Sequence, residues 1–148
     1  MTDDVPEQTP IIVPDGFHPM ESFTGFGRHI GPIYYRENDD GTYARAFPVC
    51  EQHTNGLGNC HGGMLMGFAD MAFGHAITRK ANRYWVTVRL LTDFLSGAKR
   101  GDWVEGCAEV VGEEDDFFSV NGRIWVGDRT IMTGTGLFKA LGERPKRK

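Results

Sequence analysis

The chain has 148 residues with 16 basic and 20 acidic side chains, a formal net charge of −4, and 40% apolar residues. That is enough for one ordinary domain with its own core, and the composition is neither disordered nor collagen-like. The mild acidity argues against nucleic acid as a partner, because phosphate binding needs a basic face, and no apolar run is long enough to cross a bilayer.

Residues 1–26 read as an N-terminal extension, partly disordered. Its first sixteen residues, "MTDDVPEQTPIIVPDG", are rich in Pro and Asp and read as a mobile lead-in. Pro19 suits the opening of a short helix. "NDDG" is a turn signal. "TYARAFPVCEQ" then alternates Tyr43, Arg45, Phe47 and Val49 against Ala44, Ala46 and Pro48, which suits a strand with Pro48 near its edge or end. A helix is expected from Gly62 to about Lys80, closed by "NRYW".

Four further strands are expected: "YWVTVRLLTDFLS", "DWVEGCAEVVGEE", "FFSVNGRIWV" and "TIMTGTGLFKAL". In the first, Val86, Val88, Leu90, Thr92 and Phe94 alternate against Thr87, Arg89, Leu91 and Asp93. An acidic turn and Gly127-Asp128 mark hairpins between the later strands. The order is strand, long helix, then four strands in an antiparallel meander. The fold class is therefore α+β, with a sheet curled around one apolar helix. One helix cannot cover both sheet faces, so a second subunit is expected. The basic tail, residues 143–148, reads as a solvated C-terminus.

The stretch "HTNGLGNCHGG", His53 to Gly63, packs four glycines ahead of that helix. A helix start leaves backbone N–H groups without partners and carries partial positive charge. Glycines at 62 and 63 let a ligand approach that backbone, whether a phosphate or a carbonyl oxygen gaining charge. Within the helix, Asp70 is a lone acid among apolar residues, which is costly unless paired or used. Gly63, Gly67, Asp70 and Gly74 share one side, an open stripe that also suits plain packing. Gly62 and Asp70 are eight residues apart, about 12 Å along a helix. Both can act on one bond only if the acid comes from a neighbouring subunit.

Asn55, Gly58, His61, Gly62, Gly63 and Asp70 form N-x-x-G-x-x-H-G-G followed by an acid. This pattern resembles the hotdog-fold thioesterase superfamily, specifically the PaaI-type (phenylacetate-degradation) acyl-CoA thioesterases, over residues 27–142. The resemblance implies a hotdog subunit, a homodimer with a continuous sheet, often a dimer of dimers, an acyl-CoA substrate and no cofactor or metal. It implies that the Gly62 N–H polarises the thioester carbonyl, with His61 in support. Asn55 would orient the thioester or the attacking group. Asp70 of the partner subunit would serve as base or nucleophile, with Thr87 near the attacking water. Such hydrolysis needs a stabilised oxyanion and an activated water.

The chain departs from the family where an Asp and an Asn are usual, at Arg89 and Leu91, and where an Arg-Pro pair is usual, at Ser96-Gly97. Lys99 and Arg100 follow and are candidates for CoA phosphates, against a solvated turn. Gly63, Phe68 and Met71 are candidates for the substrate pocket, although the last two are equally read as packing. His75 reads as a satisfied core or interface histidine, and Trp85, Trp103 and Trp125 as core or interface mass.

The three cysteines, Cys50, Cys60 and Cys107, cannot all pair, and no basic-then-apolar leader opens the chain. A reducing cytoplasm is the expected location. Cys50, His53, Cys60 and His61 have zinc-type donors, yet the last two are adjacent, so metal is disfavoured. Cys60 with His61 is a poor nucleophile pair for the same reason. Two other readings keep the fold: a non-catalytic acyl-CoA-binding protein, and a dehydratase of 3-hydroxyacyl thioesters, whose His base with a paired acid is not found.

Overall fold

In the computed structural model, which describes residues 10–21 and 24–146, seven strands form one sheet in the order β1-β2-β3-β5-β6-β7-β4. They are β1 (His18–Pro19), β2 (Tyr34–Glu37), β3 (Tyr43–Pro48), β4 (Arg83–Phe94), β5 (Trp103–Glu114), β6 (Phe117–Val126) and β7 (Arg129–Glu143). Every neighbouring pair is antiparallel. A short helix α1 (Gly25–His29) precedes β2, and the long helix α2 (Gly62–Ala81) lies between β3 and β4.

The sheet wraps α2. Phe68, Ala69, Ala72, Phe73 and Ile77 are fully buried against Phe47, Val104, Phe118, Ile124, Met132 and Phe138 of the strands. Close approach depends on sheet glycines: a Cβ at Gly122 would lie 2.2 Å from the Phe73 ring, and one at Gly134 2.9 Å from it. This is the hotdog arrangement, α+β, with the helix in the place of the filling.

Tight turns form where the sequence signals them. "NDDG" closes the β2–β3 hairpin through the Asn38 N–H to the Thr42 carbonyl, 2.8 Å, with Gly41 at φ +82°. Asp115 at φ +52° and Gly127 at φ +55° turn the chain between β5, β6 and β7.

Four expectations need correction. Pro19 opens no helix; it pairs with Tyr34 in β1, where its missing N–H is harmless at a sheet edge. The short helix begins instead at Gly25. Phe17, just before β1, packs with Ala44, Ala46, Tyr34, Trp103 and Trp125 on the sheet face away from α2.

The four-strand meander is also wrong. β5, β6 and β7 form one, but β4 pairs with β7 at the sheet's far edge. The long Leu95–Asp102 connection is no hairpin turn, and it carries the chain over to β5 beside β3. The helix ends one residue later than expected: Asn82, left-handed at φ +50°, is its cap, and Arg83 to Trp85 already belong to β4.

Finally, strict alternation fails in β4. Thr87 pairs with Phe138 but Arg89 pairs with Leu137, so a bulge at Val88 shifts the phase. Thr87 therefore shares the helix-facing side with Leu90 and Thr92, where simple alternation puts it opposite them.

The lead-in over residues 1–9 and the last two tail residues lie outside the described residues. Arg144, in the basic tail, is docked: its N–H donates to the Asn82 carbonyl at 2.9 Å and its guanidinium stacks on Tyr84. No helix among the described residues is long and apolar enough to cross a membrane.

Candidate active site

The glycine-rich stretch folds into a closed loop at the start of α2. The His61 N–H donates to the His53 carbonyl at 2.8 Å, Thr54 bridges Cys60, and the Asn55 N–H donates to the Asn59 carbonyl at 2.8 Å. Gly58 sits at φ +78°, a left-handed position that favours glycine. Asn55 Oδ1 accepts from the Leu57 and Asn59 N–H groups at 2.9 and 3.2 Å. The side-chain oxygen of Asn55 therefore builds the loop, and its Nδ2 is the part left to meet a ligand. The connection after β4 braces the loop: the Cys60 N–H donates to the Ala98 carbonyl at 2.7 Å, and Asn59 bridges Lys99.

His61 is the N-cap of α2. Its Nδ1 accepts from the Gly63 N–H at 2.8 Å, which places the imidazole proton on Nε2. A Cβ at Gly63 would lie 3.0 Å from that Nδ1, so glycine keeps the cap in place. The Met64 and Leu65 N–H groups go to the His61 carbonyl. The Gly62 N–H has no acceptor among the described residues. It points out of a helix end carrying partial positive charge. The Phe94 ring, 3.5 Å from where a Gly62 Cβ would be, walls one side.

Asp70 lies further along α2 and is half-buried rather than sealed in the core. It accepts a hydrogen bond from Thr87 Oγ1, which the β4 bulge turns inward. The open stripe beside it is largely packing. Gly67 lies under Phe26 and Ile30 from the α1 end, and Gly74 lies under the Trp85 ring. The subunit thus holds two separate half-sites: the bare Gly62 N–H next to the His61 cap, and a carboxylate–hydroxyl pair.

Residues 57–133 match the family model described as the thioesterase superfamily. The chain belongs to this superfamily. This thioesterase is 32% identical over 130 residues, 85% of this chain and 96% of the relative, to "Putative esterase PA0474" of Pseudomonas aeruginosa. The PaaI protein from the phenylacetic acid degradation operon of E. coli is 25% identical with a TM-score of 0.69, over 79% of this chain and 84% of that one. The BH2602 protein of Bacillus halodurans, solved with CoA, shares the fold with a TM-score of 0.72 at 22% identity, over 84% of this chain and 83% of that one. The protein is a thioester hydrolase.

Within the thioesterase the other candidates separate. Phe68 corrects the sequence reading: it is fully buried, edge-on to Phe47 at 4.7 Å, and presents no surface to a substrate within the subunit. Met71 is half-buried against the core. Lys99 and Arg100 are exposed beside the glycine loop, and Arg100 makes only a loose ion pair with Glu51 at 3.7 Å. Cys60 is buried, and burial pushes its thiol up to about 12, which keeps it protonated and inert. His75 is satisfied as expected, with Nδ1 2.7 Å from Arg45 Nη2 and the ring edge-on to Tyr43.

Sequence reasoning missed three neighbours of the site. Phe94 and Phe26 are large exposed apolar side chains beside Gly62 and Gly67. Arg129 donates to Ser96 Oγ at 2.6 Å and to the Gly97 carbonyl, so a guanidinium stands at the pair where the family usually has Arg-Pro. Its strand is remote in sequence, and no local signal marks it.

Proposed function

We propose that the protein hydrolyses an acyl-CoA thioester to the free acid and CoA, at sites completed by a second copy of the chain. The observation that carries this reading is the unsatisfied Gly62 N–H, set about 12 Å of helix from the Asp70–Thr87 pair. One subunit cannot bring both to one bond. Strand β4 ends the sheet with an unpaired edge and exposes Val86, Val88 and Leu91. This open apolar edge supports a homodimer in which two β4 strands pair about a two-fold axis into a continuous sheet.

In this reading the thioester oxygen sits at the Gly62 N–H, with the His61 Nε2–H beside it. Asn55 Nδ2 orients the thioester or the water. Asp70 of the partner subunit, oriented by Thr87, takes a proton from water as the water attacks the carbonyl carbon, or attacks that carbon itself to form an anhydride that water then hydrolyses to the free acid, restoring the carboxylate. The oxyanion collapses and the C–S bond breaks, with the electron pair leaving on CoA sulfur. Gly63 leaves room for the substrate, Met71 contacts the acyl group, and Lys99 and Arg100 meet the CoA phosphates. The CoA-bound Bacillus relative supports CoA as the carrier. A dimer of dimers acting in the cytoplasm completes the proposal. The cytoplasmic part is supported by the three free cysteines.

Subunit complementation tests it. Asp70→Asn removes the base, and Gly62→Pro removes the N–H at a helix position where proline is tolerated. Each variant alone releases no thiol from a panel of acyl-CoAs. Mixed after unfolding and refolding, they regain about a quarter of wild-type turnover, because half the dimers are mixed and each holds one intact site of two. No recovery from two folded, dimeric variants overturns the composite site. No thiol release by wild type from any ester overturns the enzymatic reading in favour of acyl-CoA binding.

A further inference from the structure

His53 takes no part in the chemistry above, yet among the described residues it is one of the most buried polar side chains, 2% exposed. Its ring joins three segments. Nε2 lies 2.8 Å from the Ile30 carbonyl and 3.2 Å from the Gly31 carbonyl, both acceptors, so Nε2 carries the proton. Nδ1 accepts from the Cys50 N–H at 3.0 Å, just past β3, and lies 3.2 Å from the Pro48 carbonyl. The ring stands edge-on to Phe47 of the core at 5.4 Å. The His53 carbonyl then accepts the His61 N–H, one residue before Gly62.

We propose that His53 is a positioning residue that fixes the Gly62 N–H by holding the base of the glycine loop against the α1 end. The proposal rests on the thioesterase reading for its kinetic consequence, not for its geometry. The loop is tied down on two sides: Cys60 anchors its far end to Ala98 of the connection after β4, and the His53 imidazole anchors its base to the α1 end. Its tip residues, Asn55 to Asn59, are exposed or half-exposed, and their hydrogen bonds run largely within the loop. Rigid placement of an oxyanion donor requires a locked support, since a shift of about 1 Å costs on the order of 100-fold in rate. The same ring also ties down Ile30, which with Phe26 covers Gly67 between the two half-sites. One buried side chain thereby sets both the donor and the wall beside it.

The test compares His53→Phe, which keeps ring bulk and loses every polar contact of the imidazole, with His53→Gln, whose amide N–H reaches toward Ile30. Turnover of an acyl-CoA is measured alongside amide hydrogen exchange at His61 and Gly62 and the thermal midpoint. The expected result is a fall in kcat of about 10- to 100-fold for His53→Phe, with KM changed much less. Exchange at residues 61 and 62 accelerates, and His53→Gln recovers most of both effects. Wild-type exchange at these amides in His53→Phe overturns the proposal. So does a loss of kcat and thermal midpoint that is equal in both variants, which marks a generic folding role. If wild type hydrolyses no thioester, the functional reading fails while the exchange comparison still judges His53.

Discussion

Gly74→Ala sets two physical effects of opposite sign against each other. In a helix interior the change favours folding by about 1 kcal/mol, because alanine loses less backbone entropy. The structure opposes it. An alanine Cβ at this position would lie 2.3 Å from Trp85 Cη2 and 2.3 Å from Cζ2, far inside contact distance, so the indole has to move. Trp85 is held by an edge-on contact with Phe138 at 5.3 Å and by a hydrogen bond from Nε1 to Thr78 Oγ1 at 3.2 Å. Forced overpacking costs about 1–3 kcal/mol, the aromatic pair about 1 kcal/mol and the hydrogen bond about 1 kcal/mol. Packing wins by about 2–4 kcal/mol, which lowers the thermal midpoint by about 4–16 °C in a chain of this size. Urea titration and calorimetry measure it. Because Trp85 is two residues from Thr87 on β4, kcat falls as well. A variant as stable as wild type, or more so, refutes the argument that the Trp85 ring rather than solvent fills this helix face.

Thr87→Val removes the donor to Asp70 at nearly constant shape; kcat falls about tenfold, in line with a charge-assisted hydrogen bond of about 1.5–3 kcal/mol, and Thr87→Ser recovers it in steady-state assays. Gly63→Ala drives a methyl against His61 Nδ1, 3.0 Å away, and breaks the N-cap; the cap loss of about 1 kcal/mol offsets alanine's helix gain of about 1 kcal/mol, so stability changes little while turnover drops. Burial pushes both the Cys60 thiol, from 9.0, and the Tyr43 hydroxyl, from 10.0, up to about 12. Both folded values are raised, so their contribution to stability is complete below pH 9 and is lost as pH rises through the window up to about 12. Thermal midpoints read at closely spaced pH values show a decline in that window, and Cys60→Ala makes it shallower. Val86→Asp with Leu91→Asp on the open β4 edge yields monomers by sedimentation, with turnover lost alongside the dimer.

The loop-to-helix half of the site was legible because its chemistry is local. A cap histidine, two glycines at the helix start and a left-handed Gly58 act within a few residues, so their spacing carries the geometry. The apolar helix, the hairpin turns and the α+β class followed from the same short-range rules. The second half was not legible in that way. Thr87 meets Asp70 only because a bulge at Val88 shifts the phase of β4, and that bulge arises from pairing with β7, some fifty residues downstream. Likewise, whether Phe68 or Phe94 faces a ligand depends on which surfaces the sheet covers: Phe68 is sealed in the core, while Phe94 stays open beside Gly62. Sequence by itself determined where a bare amide and an acid sit along one helix. Tertiary structure decided which strand reaches the acid and which edge stays open, because strand order and register come from long-range contacts that no local pattern encodes.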